Sequence, residues 1–117
     1  MYRQGDLLFL PLAELPSGAK PSRDKTLFQG ISNSNTHKLH GDGKKYTLPE
    51  AALQKFLENN PRSVACFVKV GKTGATVVHE GAGSDEDRHR PISLPPGVWE
   101  VRREEDYTPQ ALVAVND

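Results

Sequence analysis

The sequence predicts a mainly β domain, a small β-barrel or sandwich-like fold, with one α-helix at about residues 48–59. Two observations carry the β assignment. Apolar residues fall in short runs closed by Gly or Pro, with no long helical stripe. Ten glycines and nine prolines among 117 residues suit many short elements joined by turns. A third observation places the helix, because one segment alone combines helical spacing with signals for both helix ends.

The first strand follows Gly5, where Asp6-Leu7-Leu8-Phe9-Leu10 is dense in apolar residues and closes at Pro11. Residues 11–23 hold Pro11, Pro16, Gly18 and Pro21 and read as an ordered surface loop, since proline lacks the ladder donor. A second strand is expected over residues 25–31 (Leu27, Phe28 and Ile31), stopping at Ser32-Asn33-Ser34-Asn35. Residues 36–39 form a third. Gly41-Asp42-Gly43 should reverse it into residues 44–47, because Asp-Gly tolerates the positive φ of a hairpin turn.

The helix opens on Thr47-Leu48-Pro49-Glu50, a capping box in which the Thr47 hydroxyl and the Glu50 carboxylate each satisfy an orphan backbone N–H. Pro49 sits in the first turn, where its missing donor costs little. Leu53, Phe56 and Leu57 share one face, and Asn59-Asn60-Pro61 ends the helix, which should lie against a sheet. Residues 63–70 are β-branched and bounded by Pro61 and Gly71, as in a central strand. Gly71-Lys72-Thr73-Gly74 should turn it into a hairpin with residues 75–79. After a polar loop over residues 80–90, Pro91-Ile92-Ser93-Leu94 resumes a strand. Pro95-Pro96-Gly97 then turns the chain into the half-buried Val98-Trp99-Glu100-Val101-Arg102. Trp99, with the largest apolar area, should be partly buried. Near the end, Thr108-Pro109-Gln110 suits a helix cap and Leu112-Val113-Ala114-Val115 a strand, so both stay open.

At 117 residues the chain fits a single domain, 1–117, able to bury a core without metal or disulfide staples. Fifteen Lys and Arg balance fifteen Asp and Glu, so the net field gives no footprint for nucleic acid or an anionic membrane. No stretch approaches the roughly 20 apolar residues of a membrane span, and no secretory leader is expected, which leaves the cytoplasm as the expected location. The lone thiol, Cys66, lies in the apolar run Val64-Ala65-Cys66-Phe67-Val68 and reads as a small core hydrophobe.

Most motif candidates fail on their own chemistry. Gly71-Lys72-Thr73 lacks both the earlier glycine of a phosphate-binding loop, where Cys66 stands, and the helix that should follow. The acidic run Asp85-Glu86-Asp87 lacks the alternating ligands and central glycine of a calcium loop. The histidines remain. His37 and His40 lie on or beside one predicted strand, while His79 and His89 flank the loop after another, so His37, His79 and His89 can converge from three segments. Three imidazoles would suit zinc or another divalent cation. A spacing of three puts His37 and His40 on opposite faces of a regular strand, so at most one of them joins such a site.

Four stretches together resemble a family of small uncharacterised bacterial and phage-associated proteins. They are Tyr2-Arg3-Gln4-Gly5-Asp6-Leu7-Leu8, Leu15-Pro16-Ser17-Gly18, residues 30–39, and His89-Arg90-Pro91-Ile92-Ser93-Leu94-Pro95-Pro96-Gly97-Val98-Trp99-Glu100-Val101 running on to Tyr107-Thr108-Pro109. In that family the third stretch reads Gly-His-x-His, and a further histidine precedes the His-x-Pro-Ile strand. Carried onto this chain, the paired positions fall on Asn35 and His37, and the later histidines on His79 and His89. The resemblance thus implies a shared pocket in which Asn35 replaces one imidazole, leaving a weak or vacant metal site. It brings no activity with it. The Pro-Pro-Gly-Val-Trp turn offers a cupin-like analogy, but the cupin spacing of glycine, paired histidines and glutamate is absent.

Two functions follow as expectations. One is a non-catalytic binding or accessory module for a protein or small-molecule partner, without a cofactor. The alternative is a metal- or histidine-dependent hydrolase in which His37, His79 and His89 hold a divalent ion that activates water, with Glu80 or Asp87 as base.

Overall fold

The computed structural model describes residues 1–5, 7–29, 36–59, 64–80 and 90–103. Among the described residues are eight strands and one helix. In chain order they are β1 (Tyr2–Gln4), β2 (Leu7–Leu12), β3 (Lys20–Ser22), β4 (Thr26–Gln29), β5 (Thr36–Thr47), α1 (Glu50–Asn59), β6 (Val64–Glu80), β7 (Ile92–Leu94) and β8 (Gly97–Arg103). All ladders are antiparallel and run β1-β2-β8-β6-β5-β3, with β4 paired to β5 and β7 to β6. The fold is therefore mainly β with one helix, as the sequence predicts, and the sheet is not closed into a barrel.

Two expected hairpins are long bent strands instead. β5 and β6 stay paired on both sides of the bend, from Thr36↔Glu80 to Gly41↔Ala75 and again from Gly43↔Val70 to Tyr46↔Phe67. Residues 71–74 bulge out opposite Asp42 rather than reversing the chain. Gly41 (φ 89°) and Gly74 (φ 79°) supply the left-handed conformations at this bend. The Asp42 carboxylate covers Gly71, where any Cβ would overlap it, and accepts a hydrogen bond from Thr73 N at 3.3 Å. The local turn chemistry was legible, but the register across the pair decides its outcome.

The loop expected over residues 11–23 is partly strand. β2 continues through Pro11, which β1 leaves unpaired on one side because it reaches only Leu7–Phe9. β3 is an edge strand on the end of β5, a position that tolerates Pro21. β1 itself has little strand signal, and Gly5 (φ 56°) permits the tight connection that pairs it with β2.

One sheet face holds the main core, with Leu7, Phe9, Leu39, Cys66, Val68, Val77, Leu94, Trp99 and Val101 packed together. Trp99 is 6% exposed, donates its Nε1–H to Pro95 O at 3.1 Å and meets the Tyr2 ring edge-on at 5.4 Å. Cys66 is a core residue as expected, and burial pushes its thiol up to about 12. α1 covers the opposite face, where Phe56 meets Phe67 edge-to-face at 5.4 Å. Its first intrahelical bond runs from Leu53 N to Pro49 O at 2.8 Å, so the helix starts two residues later than the capping box places it. Thr47 instead closes β5, paired with Lys20. The helix-or-strand question at residues 108–115 lies outside the described residues.

Candidate histidine site

His37 on β5 and His79 on β6 are direct partners in the antiparallel ladder, so their side chains leave the same face of the sheet. Their ring centroids lie 4.8 Å apart at an interplanar angle of 70°. His37 is 3% exposed, and the Nε2 atom of His79 is buried as well. His40, three residues on, is exposed, as the strand period requires. Phe28 on β4 lies against His37 with centroids 6.5 Å apart, and the Arg103 guanidinium sits 4.4 Å above the Phe28 ring.

The residue that organises this corner is Gln4, which is fully buried at the end of β1. Its Nε2 donates to Val77 O at 2.9 Å and to Arg90 O at 2.8 Å, which uses both amide hydrogens and fixes the orientation of the amide. Oε1, which can only accept, then faces Nδ1 of His37 at 2.8 Å. Nδ1 must therefore carry a hydrogen, and in the neutral ring the lone pair resides on Nε2. One side chain thus sets the tautomer of His37 and links β1 to β6 and to the residue before Pro91. The side chain supplies a connection between β1 and β6 where the sheet has no ladder.

Of the predicted site residues, the structure brings His37 and His79 together. Asn35 and His89 lie outside the described residues, as do Asp87 and the side chain of Glu80. His89 directly precedes Arg90, whose carbonyl Gln4 binds. Among the described residues, no group of three His, Cys, Asp or Glu side chains could hold a metal ion.

Sequence reasoning missed two buried polar residues. Gln4 carries no motif of its own, and a glutamine three residues from the start reads as surface. Glu100 alternates with Val101 as an outward residue, yet it is 1% exposed, and Arg102 Nε donates to its Oε2 at 2.8 Å. Its direct ladder partner is Phe67, on the face that α1 covers. Elsewhere a shallow groove of about 610 Å³ opens beside the bend, lined by Tyr2, Asp42, Thr73, Thr76, Ser93 and Pro95 among others. It contains no histidine.

The family described as "Domain of unknown function (DUF8820)" matches residues 3–104. The chain belongs to the DUF8820 family. Its span takes in Gln4, His37, His79 and Arg90, so the whole described corner lies inside the DUF8820 match. No curated protein and no solved structure matches the chain. No helix among the described residues is long and apolar enough to cross a membrane.

Proposed function

We propose that this DUF8820 chain is a non-catalytic binding or accessory module, and that it holds a small ligand or ion where Gln4, His37 and His79 meet. The observation that carries this reading is the Gln4 amide, whose orientation two backbone carbonyls fix and whose oxygen then fixes the His37 tautomer. Preorganising a buried imidazole in this way lowers the cost of binding to it, because less ordering remains for the ligand to drive. The cytoplasm is the proposed compartment, in keeping with a lone buried thiol that has no partner cysteine in the sequence.

The test is ligand screening by NMR with the histidine rings as reporters. Ligands that shift the His37 and His79 resonances and leave His40 unmoved support the reading. Ligands that perturb only the groove at Thr73, Thr76 and Ser93 contradict the choice of site. The pairing of His37 with His79 also favours a second reading, a metal- or histidine-dependent hydrolase that draws on His89 as well. Turnover of nitrophenyl esters or phosphodiesters by the chain, abolished in His79→Ala, would favour the hydrolase over the module.

A further inference from the structure

We propose that the outer face of the β5–β6 ladder, beside the bend, binds single-stranded nucleic acid, with Lys44, Lys69 and Lys72 on its phosphates and Tyr46 against a base. This face is distinct from the histidine corner, which lies on the core side of the same two strands beyond the bend. Charge is shared out unevenly along the chain. Thirteen of the fifteen Lys and Arg side chains belong to the described residues, but only six of the fifteen Asp and Glu side chains do. Seven of the other acids stand at residues 80–87 and 104–106. The neutral total therefore conceals a basic set of described residues, and clustered basic side chains are the electrostatic footprint that a polyanion needs.

Part of that charge gathers at the bend. Lys44 and Lys69 are direct ladder partners, so both side chains leave one face, and both are exposed. Val68 and Val70, on either side of Lys69, are buried in the main core, which sets the lysines on the opposite face. Like charges directly opposite each other destabilise a sheet, and among the described residues neither ammonium has a carboxylate within ion-pair reach. Two more cations stand close by: exposed Lys72 in the bulge after Lys69, and Lys25, whose Nζ donates to Gly43 O at 2.8 Å. Asp42 offsets one of these four charges. Tyr46 lies two residues beyond Lys44 on the same face, half-buried and paired with Phe67. Cations on the phosphates and an aromatic ring under a base are the combination that holds a single strand without reading its sequence. Stacking on Tyr46 requires an unpaired base, which selects a single strand over a duplex.

The experiment measures fluorescence anisotropy of labelled oligo-dT and oligo-U of about 12 bases, titrated with the full chain. Three neutralised phosphates predict a slope of about −2 for log K against log salt, a loss of about twentyfold in affinity between about 50 and 200 mM. Lys44→Gln and Lys69→Gln should each weaken binding and cut that loss to about sevenfold. Lys20→Gln, one residue out of phase with Pro21, the partner of Tyr46, should leave it unchanged. Tyr46→Leu should weaken binding at least about fivefold without altering the slope. Near-ultraviolet circular dichroism of Trp99 verifies that each variant is folded. Because the like-charge pair opposes folding, Lys69→Gln should keep or raise the thermal midpoint; a lower one would show that the ammonium serves the fold and would contradict the assignment. Absence of binding at about 50 mM salt would overturn the proposal. So would equal binding by a folded chain carrying both Lys44→Gln and Lys69→Gln. Polyglutamate that binds as tightly as either oligonucleotide, with Tyr46→Leu no weaker, would replace nucleic acid with an acidic protein partner. Capture by phosphatidylserine vesicles without oligonucleotide binding would replace it with a membrane surface.

Discussion

Gln4 makes three polar contacts with one side chain, and nothing in the residues around it announces this. The sequence shows a polar residue near a chain start; the structure shows it fully buried between Val77 O, Arg90 O and His37 Nδ1. Gln4→Ala strands buried acceptors and a buried donor, each costing about 1–3 kcal/mol when unsatisfied, partly relieved if water enters. The expected loss is about 2–4 kcal/mol, read from the denaturant midpoint. An unchanged midpoint would mean that the corner is solvated. Cys66, by contrast, was legible, since a thiol inside an apolar run of strand composition belongs in a core. Burial raises its pKa from 9.0 to about 12. The unfolded thiol ionises first as pH rises, so the folded state retains its proton and the stability this group contributes is present below pH 9 and lost between 9 and 12. Iodoacetamide at pH 8 should leave native Cys66 unmodified and alkylate it after unfolding. Rapid modification of the native protein would contradict its placement.

At the scale of elements, the sequence disclosed where strands and helix lie better than how they join. α1, β7 and β8 fall within a few residues of their predicted positions because capping, helical spacing and turn residues are local signals. The joint bend of β5 and β6 is not local. Asp42-Gly43 and Gly71-Lys72-Thr73-Gly74 each favour a reversal on their own, but the two bends coincide in register, with Gly41 opposite Ala75 and Gly43 opposite Val70. Pairing therefore continues through both, and each strand bends instead of turning back. Gly41 is the position this bend depends on, because it combines φ 89° with only 3.1 Å between a would-be Cβ and Gly74 O. Gly41→Ala should cost about 1–2 kcal/mol from the left-handed backbone, with the contact to Gly74 adding to it. A thermal midpoint equal to that of the native chain would show that the bend can be made another way. The shared bend also sets the far halves of β5 and β6 side by side, which brings His37 opposite His79.

At the scale of the whole molecule, two coverings decide what is buried, and neither is visible in a strand pattern. Phe56 of α1 packs against Phe67, the ladder partner of Glu100, and Glu100 is 1% exposed although its alternation with Val101 reads as solvent-facing. Its partner Arg102 keeps 26% of its side chain exposed, so the ion pair is only partly desolvated. Arg102→Ala should therefore destabilise by about 1–3 kcal/mol, less than a fully buried pair would lose. Stability unaffected at pH 7 would show that Glu100 relies on other groups. The second covering is the corner itself, where β1 returns toward β6 and Gln4 connects them by its side chain. The convergence of His37 and His79 was legible as an expectation from their placement at strand ends. The means of convergence, a glutamine from the chain start, was not, because it depends on a contact across more than seventy residues.

The central claim is that Gln4 holds His37 in one tautomer beside His79. A long-range ¹H–¹⁵N correlation spectrum of the histidine rings of the native chain tests it most directly. It should show His37 protonated at Nδ1 and not at Nε2, with a nuclear Overhauser contact from its ring to that of His79. A His37 protonated at Nε2, or one averaging between tautomers like exposed His40, would contradict the claim.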